Sequence, residues 1–140
     1  MTLNELYQFA DQNGIDVYTR KLSGIKGLAV KSLCYHIALN KDLIDGEKEE
    51  RIILAHEVAH CITDQFYYQQ DINNPLYRQN IRKAERIATD YACTYLVSVE
   101  ELKIVSQQYA NDYEIAEALD IDMNLLHKIV DYYKRKNLLE

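Results

Sequence analysis

Apolar residues return at steps of three and four through two long stretches of the chain and cluster in several shorter ones. The first long stretch covers residues 47–65, where Ile52, Ala55, Ala59, Ile62 and Phe66 mark one face of a helix. Asp45, Glu47, Glu49 and Glu50 crowd its start, where the positive end of the helix dipole favours anions. The second covers residues 77–96, with Ile81, Ala84, Ala88, Tyr91 and Tyr95 as its stripe. Upstream, Thr2 and Glu5 have the spacing of a capping box, opening a helix that ends near Asn13-Gly14. Strand-like segments follow at 15–19, 28–33 and 35–39, punctuated by Gly24 and Gly27, and predict a small antiparallel sheet. Ser98 with Glu101 forms a second capping box, and Asn111 caps the first of two short helical patterns, 114–119 and 123–134.

Late in the first stretch stands His56-Glu57-Val58-Ala59-His60. Residues four apart share a helix face, so both imidazoles can bring a ring nitrogen to about 2.0–2.1 Å from one Zn2+ ion. Glu57 lies about 100° around the helix from His56 and borders the ion without binding it. There it can serve as general base toward water activated by the metal. Either histidine alone reads as an ordinary structural imidazole; the pair, with a carboxylate between, reads as a metal site with its own base.

A catalytic zinc takes three protein ligands, and Glu85 is the expected third. It stands in the second stripe, four after Ile81 and three before Ala88. A carboxylate on a core face needs compensation, which a divalent cation gives directly. Asp90 lies about 140° around the helix from Glu85; four after Arg86, it is expected to make a helix-surface ion pair. Thr89 shares the face of Glu85, either as a hydrogen-bond partner of a ligating His or as a plain helix residue. His36 reads as an ordinary strand residue.

HEVAH, followed after a polar loop by Glu85-Arg86-Ile87-Ala88-Thr89-Asp90-Tyr91-Ala92, resembles the ImmA/IrrE family of metallopeptidases, in which HExxH precedes a Glu-x-x-Ala-Asn-x-Phe-Ala-like helix. The likeness takes in Tyr35-His36-Ile37-Ala38-Leu39-Asn40 and spans roughly residues 14–122. Thr89 replaces the usual Asn, and Leu96-Val97-Ser98 replaces an apolar run ending in proline. The resemblance implies a cytoplasmic zinc metalloprotease of a prophage or integrative element that cleaves or antagonises the element's own transcriptional repressor. In that reading His56, His60 and Glu85 hold the metal and Glu57 is the general base. An antirepressor that binds its target without cutting it is the alternative. The implied fold is α+β and zincin-like, with a small antiparallel sheet beside the HExxH helix and a mostly helical C-terminal half. One domain is expected over 1–140: sheet and motif helix in 1–65, lid loop and third-ligand helix in 66–98, a helical subregion in 99–140. In zincins the edge strand of such a sheet can pair with an extended substrate.

The remaining features refine this picture. A chain of 140 residues with 48% hydrophobic content suits one domain with a real core. It has no apolar run near membrane-spanning length and no secretion-type leader, so a cytoplasmic location away from membranes is expected. Cys34, Cys61 and Cys93 form no CxxC spacing and read as reduced thiols acting as small buried hydrophobes. The net charge of −6 weighs against direct nucleic-acid binding and toward a protein partner. Such a surface either speeds encounter with the basic face of a DNA-binding repressor or is simply that of an acidic protein. Residues 67–77 read as a cleft rim or lid with a turn at Asn73-Asn74-Pro75, and Tyr67, Tyr68 and Tyr77 are candidate oxyanion donors. The pair 114–119 and 123–134 resembles a helix-turn-helix with Asn124, His127 and Lys128 as groove readers. The mixed charge of its second helix favours instead a pair that closes the core or docks a partner.

Overall fold

Among the described residues five helices begin on side-chain caps. Thr2 accepts a hydrogen bond from the Glu5 amide, Asn74 from Leu76, Ser98 from Glu101, Asn111 from Glu114 and Asp122 from Leu125, at 2.7 to 3.2 Å. Each cap satisfies an N–H that has no partner inside its helix. The computed structural model describes residues 1–66 and 74–140. Among these residues the order is α1 (Leu3–Gln12), β1 (Ile15–Thr19), β2 (Gly27–Lys31), β3 (Tyr35–Leu39), α2 (Gly46–Thr63), α3 (Pro75–Leu96), α4 (Val99–Gln108), α5 (Asp112–Ala118) and α6 (Met123–Arg135). The architecture is α+β and mostly helical. Among the described residues no helix is long and apolar enough to cross a membrane.

The sheet is mixed, which corrects the antiparallel expectation. Its order is β1-β3-β2, with β3 antiparallel to β2 and parallel to β1. Burial explains the order: Ile37, Ala38 and Leu39 of β3 are all buried, so β3 takes the centre and needs a neighbour on each side. β2 reaches it through a hairpin, and β1, entering from α1, fills the other edge in the same direction as β3. The β2 ladder stops at Lys31, short of the expected residue 33, because Ser32 and Leu33 form the hairpin turn and Leu33 is fully exposed.

Helix α2 lies between the sheet, α1 and α3. It is buried on more than the predicted face: Leu54 and Val58 join Ala55 and Ala59 in the core, while Ile62 is 36% exposed at the edge of the stripe. On α3 the buried line is Ala84, Ala88, Ala92, Cys93 and Leu96, and Tyr91 of the expected stripe is largely exposed. Alanines on both helices let α2 and α3 pack closely, since a small side chain sets a short interaxial distance.

Helix α6 closes the core through Leu126, Ile129 and Tyr133, and the Tyr133 hydroxyl donates to the Val97 carbonyl at 2.6 Å. Asp90 pairs with Arg135 of α6 at 2.9 Å and not with Arg86 as expected, because α6 brings a guanidinium across to it. All three cysteines are free, but Cys34 is exposed near the hairpin turn, against the expectation of burial.

Candidate metal centre

Spacing on α2 and packing of α2 against α3 bring three donors together. His56 Nε2 lies 2.9 Å from Glu85 Oε2, His60 Nε2 lies 3.2 Å from Glu85 Oε1, and the two Nε2 atoms are 3.1 Å apart. Tetrahedral donors held at about 2.0–2.1 Å from one ion stand about 3.3–3.4 Å from each other. The observed triangle is slightly contracted from that, as expected for groups hydrogen-bonded among themselves. Among the described residues His56, His60 and Glu85 form a group that can hold a metal ion. The imidazole planes cross at 84°, so each ring presents an in-plane nitrogen to the shared point.

The turn that ends α2 orients His60. Asp64 adopts φ 54°, in the left-handed region, and the chain reverses there with Asp64 N–H on the Cys61 carbonyl and Gln65 N–H on the His60 carbonyl. This is the double hydrogen bond of a Schellman motif. It leaves the Gln65 carbonyl facing back, where it accepts from His60 Nδ1 at 2.6 Å. A carbonyl only accepts, so Nδ1 carries a proton, and Nε2 is the nitrogen left to face the shared point. Burial lowers the basicity of His60, but its bonds to Glu85 and the Gln65 carbonyl outweigh burial and carry it above the ordinary value. Glu85 is held far below the usual carboxylate range, chiefly by hydrogen bonds from His56 and His60. These opposed shifts describe an imidazolium–carboxylate pair, in which a metal ion would take the place of the proton on His60 Nε2.

Glu57 is not among the three donors. Burial raises its carboxyl above the ordinary value, and the Glu85 charge adds to this; the histidines and the Ala29 amide, which donates to it, act in the other direction. That amide is available because of the register. Asn40 N–H bonds the Lys26 carbonyl and Ser32 N–H bonds the Cys34 carbonyl, so alternation turns the backbone of Gly27, Ala29 and Lys31 away from β3. β2 therefore turns one main-chain edge outward beside Glu57, with the Ala29 amide on that edge bonded to the Glu57 carboxylate. Two cavities flank this edge: one of about 200 Å³ touching Ala29, Glu57, His60 and Glu85, and one of about 360 Å³ touching His56, Glu57, Thr89 and Leu125.

The four residues singled out as metal ligands and base thus lie together. Thr89 lines the larger cavity, but among the described residues the side-chain-orienting bond to an imidazole comes from the Gln65 carbonyl, not from Thr89. His36 is remote, 3.7 Å from Asp16 and 3.2 Å from the Cys34 sulfur. Tyr77 lines neither cavity, and Tyr67 and Tyr68 lie outside the described residues. Asp64, Gln65 and Gly27 are contributors that sequence reading missed. Of these only Gly27 has a sequence signal, as a glycine at the start of a strand pattern. Comparison with known families, with curated proteins and with solved structures returns no match.

Proposed function

We propose that the protein is a zinc-dependent endopeptidase built on a zincin-like arrangement of sheet and HExxH helix. The observation that carries this reading is the convergence of His56 Nε2, His60 Nε2 and Glu85 within 3.2 Å of one another, with Glu57 half-buried beside them but outside the triangle. Three nitrogen and oxygen donors of this kind suit a catalytic zinc, which supplies Lewis-acid activation of water and of a peptide carbonyl.

The chain's own groups do the rest. The Glu57 carboxylate, made a better proton acceptor by burial, takes a proton from the attacking water and passes it to the leaving amine. The outward edge of β2, through the main chain of Gly27 and the Ala29 carbonyl, lets an extended peptide align by hydrogen bonds beside Glu57. The ImmA/IrrE resemblance names a DNA-binding repressor as the protein substrate and an intracellular setting for the reaction. A net charge of −6 agrees with an encounter with a basic partner.

The test is cleavage of a broad peptide library by zinc-loaded protein, read by mass spectrometry with and without chelator. Fragments are expected only with zinc. Glu57→Gln should keep its fold and one zinc per chain yet lose about 10²–10⁴-fold in rate; equal activity in that variant removes Glu57 from the reaction. His60→Ala should lose the metal, and unchanged zinc content would overturn the site itself.

A further inference from the structure

The larger cavity beside the candidate metal centre has a composition of its own. His56 and Glu57 line it on the side of the metal centre, and Ile53, Ala92, Leu96 and Leu125 give it apolar walls. At about 360 Å³ it has room for one large side chain and part of the next residue. Two lysines stand at it. Lys26 is held by Glu49 at 2.7 Å, whereas Lys128 has no ion-pair partner among the described residues and is exposed.

Lys128 comes from α6, the helix that resembled a DNA reader in sequence. Leu125 and Lys128 are three apart and share one face of that helix, while Leu126, Ile129 and Tyr133 are buried in the core. The packing that buries these three turns Leu125 and Lys128 toward the HExxH helix. We propose that this cavity is the specificity subsite of the centre. It takes an apolar side chain of a peptide, of leucine or phenylalanine size, followed by an acidic residue whose carboxylate meets Lys128. The assignment deepens the endopeptidase reading and takes the meaning of the cavity from it. Its chemistry is independent: apolar walls reward a buried hydrocarbon group, and the exposed Lys128 ammonium on its lining favours an anion and repels a cation.

The experiment uses short capped dipeptides as probes, with binding and cleavage read separately. N-acetyl-Leu-Asp-amide, N-acetyl-Leu-Lys-amide and N-acetyl-Gly-Asp-amide are titrated into the full-length protein, zinc-free and zinc-loaded, and followed by amide chemical shifts. Leu-Asp should produce saturable shifts at Gly27, Thr89, Leu125 and Lys128, with binding at least about tenfold tighter than for either other probe. Lys128→Glu, a surface change that leaves the core intact, should reverse the preference between Leu-Asp and Leu-Lys, and Lys128→Gln should abolish it. Equal affinity for the three probes, or shifts elsewhere, overturns the assignment.

In the library digest, cut sites should be flanked by an apolar-acidic pair, and Lys128→Glu should change it to apolar-basic. If Leu-Asp binds as expected and nothing is cut, the hydrolase reading fails and the subsite stands. If peptides are cut with a profile indifferent to Lys128, the subsite fails and the hydrolase reading stands.

Discussion

Asp64 occupies the left-handed region at φ 54°, where a residue with a Cβ is held at a cost of roughly 1–2 kcal/mol. Its side chain offsets the strain. The carboxylate accepts from Lys31 Nζ at 2.8 Å and from the Tyr35 hydroxyl at 3.0 Å, and these bonds hold it below the usual carboxylate range. Asp64 thereby ties the end of α2 to both strands of the hairpin and fixes the turn that aims the Gln65 carbonyl at His60. Asp64→Ala keeps the backbone strain and loses both ties, so the imidazole is less firmly held. We expect zinc affinity to fall about 10–100-fold, the range typical for loss of a group that orients a ligand, measured by competition with a chromophoric chelator. Asp64→Asn, which tolerates the left-handed region and retains hydrogen-bonding capacity, should lose much less. Unchanged affinity in Asp64→Ala would show that the turn does not set the ring.

At the scale of elements, the close fit of β2 against α2 depends on one missing side chain. A Cβ added at Gly27 would meet Ile53 Cγ2 at 2.8 Å and Glu57 Cγ at 3.3 Å. Ile53 is β-branched and packed, so it cannot swing aside cheaply. Gly27→Ala should therefore push the strand from the helix at a cost of about 1–3 kcal/mol, with Glu57 displaced from the Ala29 amide. The expected outcome is a lower urea midpoint and slower peptide cleavage with zinc content unchanged; full activity at an unchanged midpoint would show that the interface has slack.

This interface also marks where sequence reading stops. The shared face of His56 and His60, the position of Glu85 and the capping residues Thr2, Ser98 and Asn111 were legible because helical spacing and short-range hydrogen bonding have fixed periods. The parallel pairing of β1 with β3 was not, since strand alternation tells which side chains are buried but not which strand lies alongside. The Gln65 carbonyl was invisible for another reason: a main-chain acceptor has no residue type to announce it. Asp90 chose Arg135 over Arg86 because the partner came from a helix 45 positions away, beyond any local pattern.

The molecule as a whole buries several weakly acidic groups that favour their protonated forms. Tyr7, Tyr95 and Tyr133 are each pushed up from 10 to about 12 by burial, with Tyr7 also hydrogen-bonded to Glu50 at 3.1 Å. Burial likewise raises the thiols from 9, Cys61 to about 12 and Cys93 to about 11. These groups are spread over α1, α2, α3 and α6, so their ionisation loads nearly every helix that meets the core. The sign follows from linkage: a group whose folded pKa exceeds its unfolded value binds its proton more tightly in the native state. Its contribution is fully present below the unfolded value and is lost as pH rises through the folded one. Stability should therefore show no loss from these groups between neutral pH and about 9, decline first through the thiols, and fall more steeply between about 10 and 12 as the phenols join them. Urea midpoints measured under reducing conditions at half-unit steps from pH 7 to 11.5 check this. Tyr133→Phe separates the phenol from the general trend: it should lower the midpoint at neutral pH by removing the bond to Val97, and it should flatten the decline above pH 10. A midpoint level to pH 11 in the unsubstituted protein would mean that the phenols and thiols reach solvent in the native state, and the helices would then not be packed as described.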